Sequence, residues 1–333
     1  MYFNSKINPI LFIAEIGSNH EGNFSEAKNI ILNACKTKAD VIKLQIFSAD
    51  NLVSKKYDKE RYKHFKRLEL SIEQNIKLCK LIHSKRKKCS ASIWDVDQVD
   101  IFNQYIDFYK IGSGDIHNFE IIKKIISTNK PLIISTGLCN LTDINKTLSF
   151  INKTNPNFIK QGKLAILHCN TAYPTPKDDS YLGTISYLKK KYKIKIGFSD
   201  HSIGDEVISY AYVLGAQIIE KHFSNNVKKK TFRDHAISLN KEGVDRFIEK
   251  INTIKNYFRV KYKLTDSEKN QKNLRSFRRS IYAKKDINKG EIFSNDNIIS
   301  LRPHNVKFSS LRYYNLIKKK YKKTYKKGDL INQ

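Results

Sequence analysis

Apolar residues fall into short runs that alternate with longer segments of helical spacing. The first run covers residues 11–16, and the turn at 17–23 leads to a helix that Ser25 can cap, ending at Cys35. Residues 41–45 form a second β-run. A Lys- and Tyr-rich insertion at 48–69 precedes a helix at 71–84. Further β-runs follow at 89–93, 108–111, 131–137 and 164–169, with helical segments at 96–104, 119–127 and 141–152. The last two runs, 195–198 and 217–219, flank a helical segment at 204–215, and a helix at 241–258 closes the series. Eight β-runs alternating with helices over about 260 residues predict an α/β fold of the TIM (β/α)8 barrel type. An open doubly wound sheet would favour a GxGxxG after the first strand, and none is there.

The pattern changes near residue 262. The expected division is a barrel at 1–262, a polar linker at 263–277 and a small domain at 278–333. In the small domain, Lys327-Gly328-Asp329-Leu330-Ile331 echoes Lys289-Gly290-Glu291-Ile292. Its roughly 55 residues are few but enough for a domain that docks on something else.

Charge and cysteine content narrow the class. The net charge is +30, but the lysines are spread along the whole chain with no arginine-rich arm, zinc finger or RNA-binding aromatic motif. A lysine-biased solvated surface accounts for this, and neither nucleic acid nor a membrane is expected as a partner. The five cysteines, odd in number and without CxxC, indicate reduced thiols and a cytoplasmic setting. No apolar run is long enough to span a bilayer.

Polar residues collect where the β-runs end: Glu15, Lys43, Gln45, Ser113, Ser135, residues 168–173, Ser199 to His201, Glu220 and His222. In a TIM barrel these ends form the active-site face. His201 and His222 lie one βα unit apart, and neighbouring strands are about 5 Å apart, so both imidazoles can reach one ion. Lys43, Ser113, Ser135, Thr171 and Ser199 make a set that suits a phosphate. Glu15 and Glu220 are acid/base candidates. The residues thus predict a metal-assisted reaction of a phosphorylated small molecule, with the metal left open.

At this point the chain resembles the sialic acid synthase family. The stretches that carry the likeness are 14–20 (AEIGSNH), 43–45 (KLQ), 110–115 (KIGSGD), 135–137 (STG), 168–176 (HCNTAYPTP), 197–202 (GFSDHS), 220–223 (EKHF) and 234–235 (DH). The region from Arg278 resembles the antifreeze-like (SAF, β-clip) domain that ends these synthases. The resemblance implies condensation of phosphoenolpyruvate with N-acetylmannosamine to N-acetylneuraminate. The alternative within the family is a legionaminic or related synthase using a 2,4-diacetamido-6-deoxyhexose. A non-catalytic anion- or nucleic-acid-binding barrel is the alternative outside it.

The resemblance also implies roles. His201 and His222 would bind a divalent metal, manganese first, with magnesium or cobalt as alternatives. Lys43, Ser113, Lys130, Ser135, Asn170, Thr171 and Ser199 would hold phosphoenolpyruvate. Glu15, Gln45, Tyr173 and Asp234 would handle the sugar and the water at the metal, and Glu220 joins Glu15 and Gln45 as a catalytic candidate. The small domain would cover the barrel of a second copy in a domain-swapped homodimer, where Arg302 reaches the partner's substrate. The chain departs from the family pattern at Phe232-Arg233 before Asp234, at His304-Asn305 after Arg302-Pro303, and in the order of Asn170 and Thr171. All three touch recognition of the sugar.

Overall fold

The computed structural model describes residues 2–227 and 232–333. The chain divides into two units, Met1–Phe258 and Arg259–Gln333. In the first, eight parallel strands close a barrel in sequential order. They are β1 (Leu11–Glu15), β2 (Val41–Ile46), β3 (Lys88–Ile93), β4 (Phe108–Ile111), β5 (Leu132–Ser135), β6 (Leu164–Cys169), β7 (Lys195–Asp200) and β8 (Ile218–His222). β1 pairs with both β2 and β8, which leaves no open sheet edge.

Side chains alternate along each strand, so every second residue faces the barrel interior. The inner core is apolar at its lower levels: Leu11 and Ile13 on β1, Val41 on β2, Phe108 on β4, Ile133 on β5, Ala165 and Leu167 on β6, and Ile218 on β8. Phe3 joins this cluster and meets Phe108 edge-on at 5.7 Å, so the amino-terminal segment plugs the barrel's lower end. Gly197 on β7 faces inward too. A Cβ there would lie 2.3 Å from the Ile218 carbonyl oxygen and 2.6 Å from Leu167 Cδ2, so close packing of β7 requires glycine.

The helices pack a second apolar layer against the barrel's outside. Helix Phe119–Ser127 buries Ile121, Ile122, Ile125 and Ile126 on one face. Polar side chains fix several starts. Ser71 and Gln74 form a capping box on helix Ile72–Ser84, and Asn140 and Asp143 form one on helix Leu141–Thr154. Asn23, rather than Ser25, caps the first helix, Phe24–Cys35. The Lys/Tyr-rich insertion folds into two short helices, Ala49–Leu52 and Lys59–Leu68. Helix Gly183–Lys191, between β6 and β7, has no counterpart among the predicted elements, because its triple-lysine end masks two buried apolar positions, Ile185 and Leu188.

The second unit holds helix Gln271–Phe277, within the segment expected to be a linker, and an antiparallel pair, β9 (Ser280–Ala283) and β10 (Ile298–Leu301). Isolated bridges Tyr282↔Leu330, Ile287↔Tyr325 and Ile292↔Lys320 extend it. A small core forms around Ile281, Ile287, Phe293, Tyr321 and Tyr325. Gly290 and Gly328 of the two echoing motifs adopt matching positive φ values, 93° and 92°. Among the described residues, no helix is long and apolar enough to cross a membrane.

Candidate active site

The alternation that fills the barrel with apolar side chains turns polar at the last inward positions. Ile13 is followed by Glu15, Val41 by Lys43 and Gln45, Phe108 by Lys110, Ile133 by Ser135, Leu167 by Cys169, Gly197 by Ser199 and His201, and Ile218 by Glu220 and His222. These side chains line one cavity of about 530 Å³ at the carboxyl ends of the strands, joined by Ser113, Thr171, Tyr173 and Asp234 from the loops. Register places Glu15 beside Lys43 on one side and His222 on the other, and Ser199 beside Glu220.

The floor is a buried network of alternating charge. Lys43 Nζ lies 2.8 Å from Glu15 Oε2 and 3.8 Å from Glu220 Oε1, and Lys110 Nζ lies 3.1 Å from Glu220 Oε1. Ser199 Oγ donates to Glu220 Oε1 at 3.1 Å, and Gln45 Nε2 donates to Glu15 Oε1 at 2.7 Å. Burial opposes every one of these charges, yet the outcomes differ. It pushes the Lys110 ammonium down and the Glu15 carboxyl up from their ordinary ranges. For Glu220 the two lysines outweigh burial and hold the carboxyl at about 2, and for Lys43 the two glutamates outweigh it and hold the ammonium above its usual value. The two buried carboxyls are thus pushed in opposite directions, Glu220 toward the anion and Glu15 toward the protonated form. Glu220 Oε2 and Ser135 Oγ are buried without a hydrogen-bond partner. Both remain free to meet a ligand.

His201 and His222 stand above this floor with ring centroids 5.6 Å apart. His201 Nδ1 donates to the Asn170 carbonyl at 2.6 Å, which leaves Nε2 with its lone pair. His222 Nδ1 is buried without a hydrogen-bond partner, 3.7 Å from Asp234 Oδ2. Gly17, at φ 55°, lets the chain pass there, since a Cβ would lie 3.0 Å from His222 Cε1. Burial lowers both histidines, His201 to about 4, so both rings are neutral near pH 7. Two neutral imidazoles on adjacent strands, one with an orphaned ring nitrogen, fit a divalent cation. Among the described residues no group of three His, Cys, Asp or Glu side chains gathers for a metal, so the remaining positions would fall to water and substrate.

The rim is aromatic and cationic. Tyr173 stacks on His201 at 4.0 Å, and the Arg233 guanidinium lies 4.5 Å over the Tyr173 ring. Phe232 stacks on His64 of the insertion at 6.3 Å. The pair Phe232-Arg233 thus sits at the cavity mouth.

Of the residues predicted from sequence, Glu15, Gln45, Glu220, Lys43, Ser113, Ser135, Thr171, Tyr173, Ser199, Asp234, His201 and His222 share this cavity. Lys130 does not. It precedes β5, at the opposite end of the barrel, and donates to the carbonyls of Asn103 and Ile106. Asn170 is also outside, because it falls one position past inward-facing Cys169. Its side chain donates to the Asp179 carbonyl at 3.1 Å and accepts from the Ala172 N–H at 2.8 Å, shaping the loop. Arg302 belongs to the second unit, where it donates to the Phe277 carbonyl at 3.0 Å and lies over the Phe277 ring. The residue missed is Lys110. The signal was available, since two-residue alternation from Phe108 points it inward.

Comparison with known proteins follows the same lines. The model of the NeuB family matches residues 30–263. The chain is 35% identical over 340 residues to the N,N'-diacetyllegionaminic acid synthase of Campylobacter jejuni, covering 97% of this chain and 99% of that protein. It is 31% identical over 341 residues to a pseudaminic acid synthase of the same species, covering 97% and 96%. The crystal structure of N-acetylneuraminic acid synthetase from Leptospira borgpetersenii in complex with citrate superposes with a TM-score of 0.72 at 28% identity, covering 80% of this chain and 92% of that one.

Proposed function

Because this chain belongs to the NeuB family, we propose that it is a nonulosonic acid synthase that condenses phosphoenolpyruvate with a 2,4-diacetamido-6-deoxyhexose. The observation that carries the reaction class is the cavity itself. Two lysines, the unpartnered hydroxyl of Ser135 and a pair of neutral histidines converge at the strand ends of one closed barrel. N-acetylmannosamine came first in the expectations from sequence. Similarity over 340 residues to a synthase named for a product with two N-acetyl groups supports moving the diacetamido sugar ahead.

In this reading Lys43 and Lys110 face the phosphate and carboxylate of phosphoenolpyruvate, and Ser113, Ser135, Thr171 and Ser199 donate to its oxygens. Lys110 takes the part first expected of Lys130. Ser113 Oγ also accepts the Gly137 N–H at 3.0 Å, which fixes its direction. His201 and His222 would hold a divalent metal, manganese by the family likeness, and bound there it would supply Lewis-acid polarisation of the sugar aldehyde. Carbon 3 of phosphoenolpyruvate then adds to that aldehyde, water adds at carbon 2, and phosphate leaves by C–O cleavage. Glu15, aligned by Gln45, is the group that moves a proton, while Glu220 stays ionised and holds both lysines. Tyr173 and Asp234 border the sugar. The region from Arg278 would act as the antifreeze-like domain of a second copy, bringing Arg302 to the sugar's outer end in a homodimer.

The test is phosphate release from phosphoenolpyruvate with a panel of acceptors. The expected order of kcat/KM places 2,4-diacetamido-6-deoxy sugars above N-acetylmannosamine by tenfold or more. Equal or greater activity with N-acetylmannosamine would return the assignment to N-acetylneuraminate synthesis. No release with any sugar, together with salt-dependent DNA binding, would favour the non-catalytic alternative.

A further inference from the structure

One wall of the cavity has no part in the chemistry above. β3 ends at Ile93, and the next residue, Trp94, lines the cavity together with Phe65 and Leu68 of the insertion. Phe47 backs it. The Phe47 and Trp94 rings are 5.3 Å apart at 30°, and Phe65 meets Phe47 at 5.4 Å and Trp94 at 6.3 Å, both edge-on. Two polar side chains flank these rings, His64 edge-on to Phe65 at 5.5 Å and the Arg61 guanidinium 5.8 Å over the Phe65 ring. Trp94 Nε1 is buried and has no hydrogen-bond partner. Buried indole N–H groups ordinarily find an acceptor, and an unmet one is costly.

Topology fixes where this corner lies relative to the metal candidates. The barrel runs β1 to β8 in order and closes, so β3 is four strands from β7, which carries His201 at its end, and three from β8, which carries His222. The β3 corner therefore lies across the barrel mouth from the two histidines. We propose that the Trp94 corner is the subsite for the acylamino group at carbon 4 of the acceptor. The indole N–H donates to the amide carbonyl, and the acetyl methyl packs on Phe65 and Leu68. Aromatic surface beside an unmet neutral donor fits an acetamido group. A hydroxyl would leave the aromatic surface uncovered. This inference rests on the diacetamido reading and names the residues that impose it.

The test uses the full-length, metal-loaded protein. In Trp94→Phe the ring remains and only the N–H donor and part of its area go. The ratio of kcat/KM for the 2,4-diacetamido sugar to that for N-acetylmannosamine, which has a hydroxyl at carbon 4, is expected to fall about tenfold or more. KM for phosphoenolpyruvate is expected to stay within about twofold. Trp94 is the chain's only tryptophan, so wild-type fluorescence reports on this corner directly. The emission is expected to respond to the diacetamido sugar more strongly than to N-acetylmannosamine, and not to phosphoenolpyruvate alone. A ratio unmoved by Trp94→Phe, or equal fluorescence responses to the two sugars, overturns the subsite. A wild type that prefers N-acetylmannosamine overturns the diacetamido reading itself, and that is seen before any variant is made.

Discussion

Alanine at His222 or His201 is expected to cut turnover by at least about a thousandfold while the barrel stays folded. The rings stand at the ends of β8 and β7, above the apolar levels that hold the strands together. Their loss removes ligands rather than core. Burial keeps both imidazoles neutral, which is the ligating form. The wild type treated with chelator should be equally inactive and should regain activity with manganese. Metal content, measured on the purified proteins, should be near one equivalent for the wild type and fall sharply in each variant. Full activity in chelator, or an alanine variant that binds manganese as well as the wild type, would remove the metal from this account.

The second large effect is expected at Lys110. In Lys110→Met the phosphate end loses a cation, and Glu220 keeps only Ser199 as a close partner, with Lys43 at 3.8 Å. A charge-assisted hydrogen bond is worth roughly 1.5–3 kcal/mol, and breaking a buried ion pair costs about 3–5 kcal/mol. KM for phosphoenolpyruvate should therefore rise about a hundredfold, with KM for the sugar changed by less than about threefold, and thermal stability should drop. The double variant Lys110→Met/Glu220→Gln separates the two contributions. Removing both charges should recover much of the stability and none of the affinity for phosphoenolpyruvate. Lys43→Met should act in the same direction, whereas Lys130→Met should leave KM for phosphoenolpyruvate unchanged, because Lys130 caps carbonyls at the barrel's other end. Equal rises in both KM values after Lys110→Met would contradict the role given to it.

These two lysines also show how much of the site was legible in the sequence. The barrel was legible because eight β-runs alternate with helices, and strand ends bring polar residues to one face whatever the loops do. Lys43, Gln45, Glu220 and His222 could be placed because they interrupt apolar runs. Lys110 obeys the same rule, but Phe108-Tyr109-Lys110-Ile111 is only four residues long, and its period of two is easily lost in so short a run. Lys130 looked equivalent by likeness alone, and its place before Leu132 puts it at the wrong end of the strand. Asn170 failed by a single residue of phase.

Other features depend on contacts between distant segments. The Trp94 corner needs Phe65, which comes from an insertion that reads in sequence only as rich in Lys and Tyr. The plug formed by Phe3 requires the inner barrel to exist before it means anything. The Phe232-Arg233 departure could be seen in sequence, but its position over Tyr173 and against His64 could not.

The central claim is a carbon–carbon condensation at the floor of this barrel. It is tested most directly by incubating the manganese-loaded protein with phosphoenolpyruvate and a 2,4-diacetamido-6-deoxyhexose, then measuring phosphate and product mass together. The account predicts phosphate release only when the sugar is present, and one new product per phosphate whose mass equals the sugar plus pyruvic acid. Phosphate release at the same rate without sugar, or with the sugar recovered unchanged, would contradict it.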